Sequence, residues 1–420
     1  MTDHADHDHS GHDHGDSGGH DHDDMVWREE AVERVLDLRA SFLADFGTET
    51  VSLDEIAGRI LAEPLDAPAD VLAHDHATMD GFAFRAEDDY PLAVREGETF
   101  PEDDPGEIDE GEAVRIATGA PLPERANVVL KREESTVEDG RLRGPDLDAG
   151  TYVYERGSNV GEGERLFAAG ERLSPKDAIL LGDLGVEEVT VRERLSVGVL
   201  ATGTEIHEGR TTDLDSPMLA GLIRSCHEAI YEGTVPDEYD RVEQRIADLT
   251  DEYDVVVTTG GTSVGHKDHV VAALSSLGEV LLHRVRIRPG KPIAFARLPD
   301  NDAIAVAVPG KPVGAHTVTA LVARPLFTGE RTLPTVGATL ARDVSLGPEG
   351  FEYAVPVTLD GGEAMPLGHA DSALSVYEET FDPSVLSSST RATRADGLVI
   401  TTEDLAGGDP VRVVPYEALE

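Results

Sequence analysis

A chain of 420 residues with 40% apolar content carries enough hydrophobic sequence for about two to four packed domains. Its 83 acidic residues against 35 basic ones give a formal charge of −48, which excludes nucleic acid and anionic membrane as partners of the general surface. Cys226 is the single cysteine, so no intrachain disulfide can form, and no apolar run matches a signal peptide or a membrane span; a reducing cytoplasm is the expected setting.

Residues 1–24 interleave His4, His7, His9, His12, His14, His20 and His22 with acids and glycines. Nothing there can bury a core, so the segment reads as a disordered tail that either binds zinc, nickel or copper loosely or only solubilises the chain. Val32, Val35, Leu36, Leu38, Phe42, Leu43 and Phe46 then recur at helical spacing and stop near Gly47. Ser52 reads as the N-cap of a short helix, Leu53 to Ile60, with Glu55 at capping-box distance. Residues 65–149, rich in Pro, Gly and Asp, carry short alternating runs at 113–117 and 128–131 and suit an inserted β domain. Residues 25–64 and 150–194 flank it as a linking domain, the second part reading as a strand, a helix at 175–184 and a strand at 188–192. Residues 330–420 alternate at 353–357, 397–401 and 411–415, which suggests a small C-terminal β-barrel.

Between them, residues 195–329 repeat one unit. The runs LSVGVL (195–200), DVVVTT (254–259) and AIAVAV (303–308) are apolar on both faces, as buried parallel strands must be. They end in Thr202-Gly203-Thr204-Glu205, Gly260-Gly261 and Pro309-Gly310-Lys311, and helical patterns follow the last two. That arrangement predicts a doubly wound α/β domain with its ligand at the carboxyl ends of the strands. A Gly-rich turn before a helix offers backbone N–H groups to an anion. The polar residues at these ends are Thr204, Glu205, Asp215, Ser263, Asp268 and Lys311, and carboxylates beside an anion nest point to a divalent cation between them.

Gly261-x-Ser263-x-Gly265 also matches a hydrolase nucleophile elbow. That fold needs several strands and an oxyanion loop upstream, and only one clear strand precedes the motif within the domain. No GxxxxGK[ST] occurs, which disfavours a P-loop NTPase.

Further segments fall into one order. Thr78-Met79-Asp80-Gly81-Phe82-Ala83 resembles S-x-MDGYA, and Arg115-Ile116-Ala117-Thr118-Gly119-Ala120-Pro121 resembles R-I-x-TGAP. Thr202 to Glu205 resembles TGDE, Asp215-Ser216 the start of DSN, and Gly260 to Asp268 a GGVSVGxxD loop. Ile287 to Pro292 resembles I-K-PGKP, and Pro309 to Val313 resembles PGNPV. Together they resemble the molybdopterin molybdotransferase family, MoeA and the E domain of gephyrin, across residues 26–420.

The resemblance implies a multidomain homodimer: a helical linking domain, an inserted β domain, a molybdopterin-binding α/β domain and a C-terminal barrel. It implies insertion of molybdate into adenylylated molybdopterin with release of AMP and the help of Mg²⁺. The active cleft is then shared between the α/β domain of one subunit and the β domain of the other. Asp80, Thr118, Glu205 and Asp268 would be catalytic, and Glu205, Asp215 and Asp268 would hold the metal. Gly260, Gly261, Ser263, Arg284, Arg288, Lys291, Pro309 and Gly310 would bind substrate, the three cations forming a basic strip along one strand and its turn. A molybdopterin adenylyltransferase and acceptor molybdoenzymes would be partners.

The chain departs from the family pattern at Asn159, where Asp is usual, and at Pro217, which removes the DSN amide and a backbone donor. His266 stands for Glu, Arg288 for Lys, Lys311 for the Asn of PGNP and Gly314 for Ser, and both His266 and Lys311 make the pocket more cationic. These changes bear on rate and on the choice between molybdate and tungstate. The alternative activity is a non-catalytic pterin-binding or scaffold paralogue. The adenylyltransferase itself resembles only the α/β portion and lacks the MDG and TGAP segments.

The acidic excess, with Lys confined to positions 131, 176, 267, 291 and 311, reads as adaptation to a salty cytoplasm and an origin in a halophilic archaeon. Carboxylate repulsion reaches about 30 Å at 0.01 M salt and only about 3 Å at 1 M. The melting temperature should therefore climb steeply with KCl into the molar range. A flat profile would contradict the halophilic reading.

Overall fold

Alternate residues of the three apolar runs face opposite sides of one sheet, and each side carries its own core. The computed structural model describes residues 25–261 and 268–419. The expectations for the 1–24 tail and for Ser263, His266 and Lys267 fall outside the described residues. The described residues form two compact units, 25–46 with 194–419, and 47–193.

In the first unit the sheet comprises β1 (Ser196–Thr202), β2 (Glu228–Val235), β3 (Val255–Thr259), β4 (Glu279–His283), β5 (Ala294–Leu298) and β6 (Ala303–Val308), in the order β2-β1-β3-β6-β5-β4. The first four of that order run parallel, while β5 and β4 join antiparallel. Val197, Val199, Val255, Val257, Ile304 and Val306 face one core, shared with the helix α2 (Asp215–Arg224). Leu200, Val256, Ala305 and Ala307 face the other, shared with α3 (Tyr239–Thr250) and α4 (His269–Leu277). All residues of β3 and β6 are buried, as a sheet covered on both faces requires.

The apolar runs announce β1, β3 and β6 but not the other three strands. β2 is an edge strand in which Glu228, Ile230 and Tyr231 are exposed, so its apolar signal is diluted. β4 and β5 belong to an antiparallel addition that no strand–loop–helix repeat announces. The helix expected at 315–323 is longer: it opens at Pro312, passes through a π-helical turn at Thr319–Ala323 and continues to Thr328. Proline is tolerated in a first turn, and Gly329 ends the run in the left-handed conformation. Pro217 likewise occupies the first turn of α2, where its missing N–H removes no helix bond.

The N-terminal helix Arg28–Phe42 was grouped with residues 150–194 in the sequence reading. Its buried face, Ala31, Val35, Leu38 and Phe42, shares the larger core of the α/β sheet, and Arg28 pairs with Glu352 at 3.1 Å. The strands Val336–Leu340, Glu352–Asp360, Glu363–Pro366, Gly397–Thr401 and Pro410–Pro415 close into a five-stranded barrel. The short strand Ile287–Arg288 pairs with its residues Glu352 and Tyr353.

The second unit holds a six-stranded sheet in which Gly81–Phe84 lies between Val128–Lys131 and Glu112–Ile116. Two-stranded ribbons join Thr48–Ser52 to Glu188–Arg192 and Leu65–Asp66 to Arg165–Phe167. The expected helical linking segment is thus chiefly β ribbon, with one short α-helix, Asp177–Asp183. The expected helix 53–60 is a single 3₁₀ turn, Leu53–Glu55. Ser52 ends a ribbon strand and spends its hydroxyl on the Asp54 carboxylate, and Ile60 and Leu61 bridge to Arg172 and Val191. Among the described residues no helix is long and apolar enough to cross a membrane.

Leu38 lies in the shared core, whereas Arg34 is exposed. Leu38→Ala should cost about 2–5 kcal/mol in denaturant unfolding, and Arg34→Ala less than about 0.5 kcal/mol. Equal effects would mean that the helix adds nothing to that core.

Candidate functional site

The carboxyl ends of β1, β3 and β6 meet backbone to backbone. Gly260 (φ 86°) and Gly261 (φ 65°) turn away from β3 in a conformation that side-chain-bearing residues avoid. A Cβ on Gly260 would lie 2.3 Å from the Thr202 carbonyl oxygen, and one on Gly261 would lie 2.6 Å from a Val270 methyl. A Cβ on Gly310 would come within 3.0 Å of the Gly260 Cα. Above this junction opens a cleft of about 850 Å³.

Strand order sorts the charges around it. Glu205 follows β1, Asp215 opens α2 and Asp237 follows β2, so the carboxylates come from the β1–β2 side. Lys311 follows β6, and Arg288 and Lys291 flank Pro289-Gly290, so the cations come from the other side. Gly260 and Gly261 lie between them. Pro383, Ser384 and Ser387, from the segment before the last two barrel strands, complete the lining. The Arg288 guanidinium stacks over Phe351 at 4.0 Å, which orients it without neutralising it.

Asp215 is buried. One of its oxygens, Oδ2, accepts from the Thr259 hydroxyl at 3.0 Å, and Oδ1 has no partner among the described residues. Burial, only partly opposed by that hydrogen bond, pushes its pKa up to about 6, and the nearby Asp213 adds to the shift. Asp213 itself caps α2, accepting from the backbone N–H of Asp215 and Ser216 at 3.1 and 3.0 Å. Asp237 also has a buried oxygen without a partner, and its N–H donates to the Thr204 hydroxyl at 3.1 Å.

Of the residues singled out in the sequence, Glu205, Asp215, Gly260, Gly261, Arg288, Lys291, Pro309 and Gly310 line this cleft. Arg284 does not: it has left-handed backbone (φ 67°) ahead of the short strand Ile287–Arg288, so the supposed basic strip is not one continuous strand. Asp268 is absent from the lining as well. It caps α4 by accepting from Val271 N–H at 3.2 Å, and its other oxygen lies 3.7 Å from His283 Nε2. Asp80 and Thr118 occupy the second unit, where Thr118 donates both its N–H and its hydroxyl to one Asp80 oxygen at 2.7 Å. Those two bonds hold the Asp80 carboxyl below its ordinary range.

Asp237 was missed because its strand was missed; Val235-Pro236-Asp237 at the end of an apolar run was the available signal. Among the described residues no three acidic, His or Cys side chains already form a metal-ligand cluster. Asp215 and Asp237 nevertheless each leave a buried carboxylate oxygen unpartnered in a cleft that Glu205 also lines.

Because its folded pKa is raised, Asp215 favours folding while protonated. That contribution is full below the ordinary value of 3.8 and is lost as pH rises through about 6. Without divalent cations, Asp215→Asn should exceed wild type in stability above about pH 6, by up to about 3 kcal/mol. The gap should close toward about pH 4. Urea unfolding across pH tests this, and a gap independent of pH would contradict it.

Residues 27–185 match the family model described as "MoeA N-terminal region (domain I and II)", and residues 198–329 match the one described as "Probable molybdopterin binding domain". The molybdopterin molybdenumtransferase of Haemophilus influenzae is 34% identical over 297 residues, covering 67% of this chain and 72% of that protein. That of Synechococcus elongatus is 31% identical, covering 66% and 74%. The crystal structure of the molybdopterin biosynthesis MoeA protein from Pyrococcus horikosii superposes with a TM-score of 0.72 at 29% identity, covering 93% of this chain and 99% of that one. A cleft between glycine turns and sorted charges, in a chain with these relatives, has one assignment: the protein belongs to the MoeA family of molybdopterin molybdenumtransferases.

Proposed function

We propose that this chain inserts molybdate into adenylylated molybdopterin and releases AMP, as a cytoplasmic homodimer assisted by Mg²⁺. The observation that carries the reading is the charge-sorted cleft. Both substrates are anions, and in a chain of net charge −48 they need a local concentration of donors and cations.

In this reading Arg288 and Lys291 hold substrate oxyanions above the Gly260-Gly261 turn, whose lack of side chains leaves room for them. Glu205, Asp215 and Asp237 hold the divalent cation. When bound, the cation neutralises phosphate charge and polarises the phosphoanhydride for attack by water. The stacked Arg288 fixes orientation, and Ile206, Pro292 and Pro309 give the pterin an apolar wall to lie against. Asp80, held ionised by the two hydrogen bonds from Thr118, supplies a fixed negative charge that orients its neighbours rather than a strong base. Asp268 is retained as a charge near the glycine loop.

Release of AMP from adenylylated molybdopterin, with molybdate and tungstate compared, tests the activity. Glu205→Gln and Asp237→Asn should each lower Mg²⁺-dependent release by about 100-fold or more, or about 2.7 kcal/mol of barrier. Asp268→Asn preserves an N-cap acceptor, so a matching loss there reports the charge rather than the helix. Activity unaltered in both Glu205→Gln and Asp237→Asn would remove the metal assignment. For the homodimer, mixing inactive Asp80→Asn and Asp237→Asn subunits should restore partial turnover through hybrid sites. Free subunit exchange without recovery would contradict a shared site.

A further inference from the structure

Lys311 is held by its backbone and free at its tip. It follows Pro309-Gly310, where Gly310 abuts Gly260, and precedes Pro312, the first residue of the next helix. Two prolines and a close backbone contact therefore fix where its side chain starts. The side chain is exposed at the rim of the cleft, and its ammonium makes one long contact, 3.4 Å, to the carbonyl oxygen of Ser384. That contact occupies one of three N–H donors, and among the described residues no ion pair engages the group. The family resemblance places Asn at this position, so the charge is an addition made by this sequence.

We propose that Lys311 is a specificity-determining residue of the cleft, binding a tetrahedral oxyanion group of the substrates through its free donors. Its carbonyl contact also links the loop after β6 to the segment 383–387 across the rim of the cleft. The proposal rests on the transferase reading for the identity of the anion, which is either molybdate itself or the phosphate of the adenylylated pterin. Anion charge, not the carbonyl contact, is the source of the effect. It should therefore weaken as salt is added, because the site is open to solvent.

Lys311→Gln keeps an N–H donor for Ser384 and removes the charge, and Lys311→Arg keeps the charge. At an exposed position neither should move stability by more than about 0.5 kcal/mol. The first measurement is calorimetric binding of molybdate, tungstate and AMP to the full chain with Mg²⁺, which requires no turnover. Lys311→Gln should weaken binding about 10-fold, the equivalent of about 1.4 kcal/mol, and Lys311→Arg should restore most of it. The second is steady-state turnover, in which the KM of one anionic substrate rises about 10-fold while kcat falls far less. An effect on molybdate and tungstate assigns Lys311 to the metal oxyanion, and an effect on AMP assigns it to the adenylate phosphate. If all dissociation constants and KM values match wild type in low salt, the proposal is overturned. A wild type that binds these anions but turns nothing over would defeat the transferase reading and leave the binding comparison intact.

Discussion

The site depends on the close approach of three strand ends, which only glycine permits. Gly260 and Gly261 turn in left-handed backbone against Thr202 and Val270, and Gly310 rests on Gly260. A methyl group at Gly260 would overlap the carbonyl of the neighbouring strand. With side chains excluded there, the floor of the cleft is bare backbone, and Gly260 N–H ties it to β6 by donating to Val308 O at 3.3 Å. The apolar runs behind the turns bury both faces of the sheet and hold the strand ends in place.

Topology then distributes charge. Because β1 and β2 lie on one side of β3 and β6 lies on the other, loops that are distant in sequence deliver acids to one half of the cleft and cations to the other. Each half suits a different species: buried carboxylate oxygens without partners suit a hard cation, and arginine and lysine suit oxyanions. A phosphoanhydride bridging the two halves would have its charge balanced at both ends. The raised pKa of Asp215 reflects the same arrangement, since an acid kept from water without a cation is reluctant to ionise.

Much of this was legible in the sequence, for physical reasons that can be named. Runs such as AIAVAV and DVVVTT are apolar throughout because both sheet faces are covered, so they announced buried parallel strands and located the glycine turns. Three of the five barrel strands alternate clearly and are legible with nearly their observed limits, whereas Val336–Leu340 and Glu363–Pro366 are not. What escaped was set by tertiary context. β2 is an edge strand with exposed residues, and with it went Asp237. Ser52 had the chemistry of a helix cap, but pairing of Thr48–Ser52 with Glu188–Arg192 took the chain into a ribbon. The motif around Asp268 suggests a metal ligand, and its local geometry adds a helix cap that the motif does not announce. The pairing of Asp80 with Thr118, far apart in sequence, follows from strand register that no local pattern encodes.

Everything above makes the glycine-floored cleft the seat of substrate binding. A crystal structure of the full chain grown with Mg²⁺, AMP and tungstate tests it most directly, because tungsten scatters strongly enough to be located unambiguously. The account predicts phosphate and oxyanion density beside Gly260-Gly261, Arg288 and Lys291, with the cation against Glu205, Asp215 and Asp237. Ligands bound elsewhere, with this cleft holding only solvent, would contradict it.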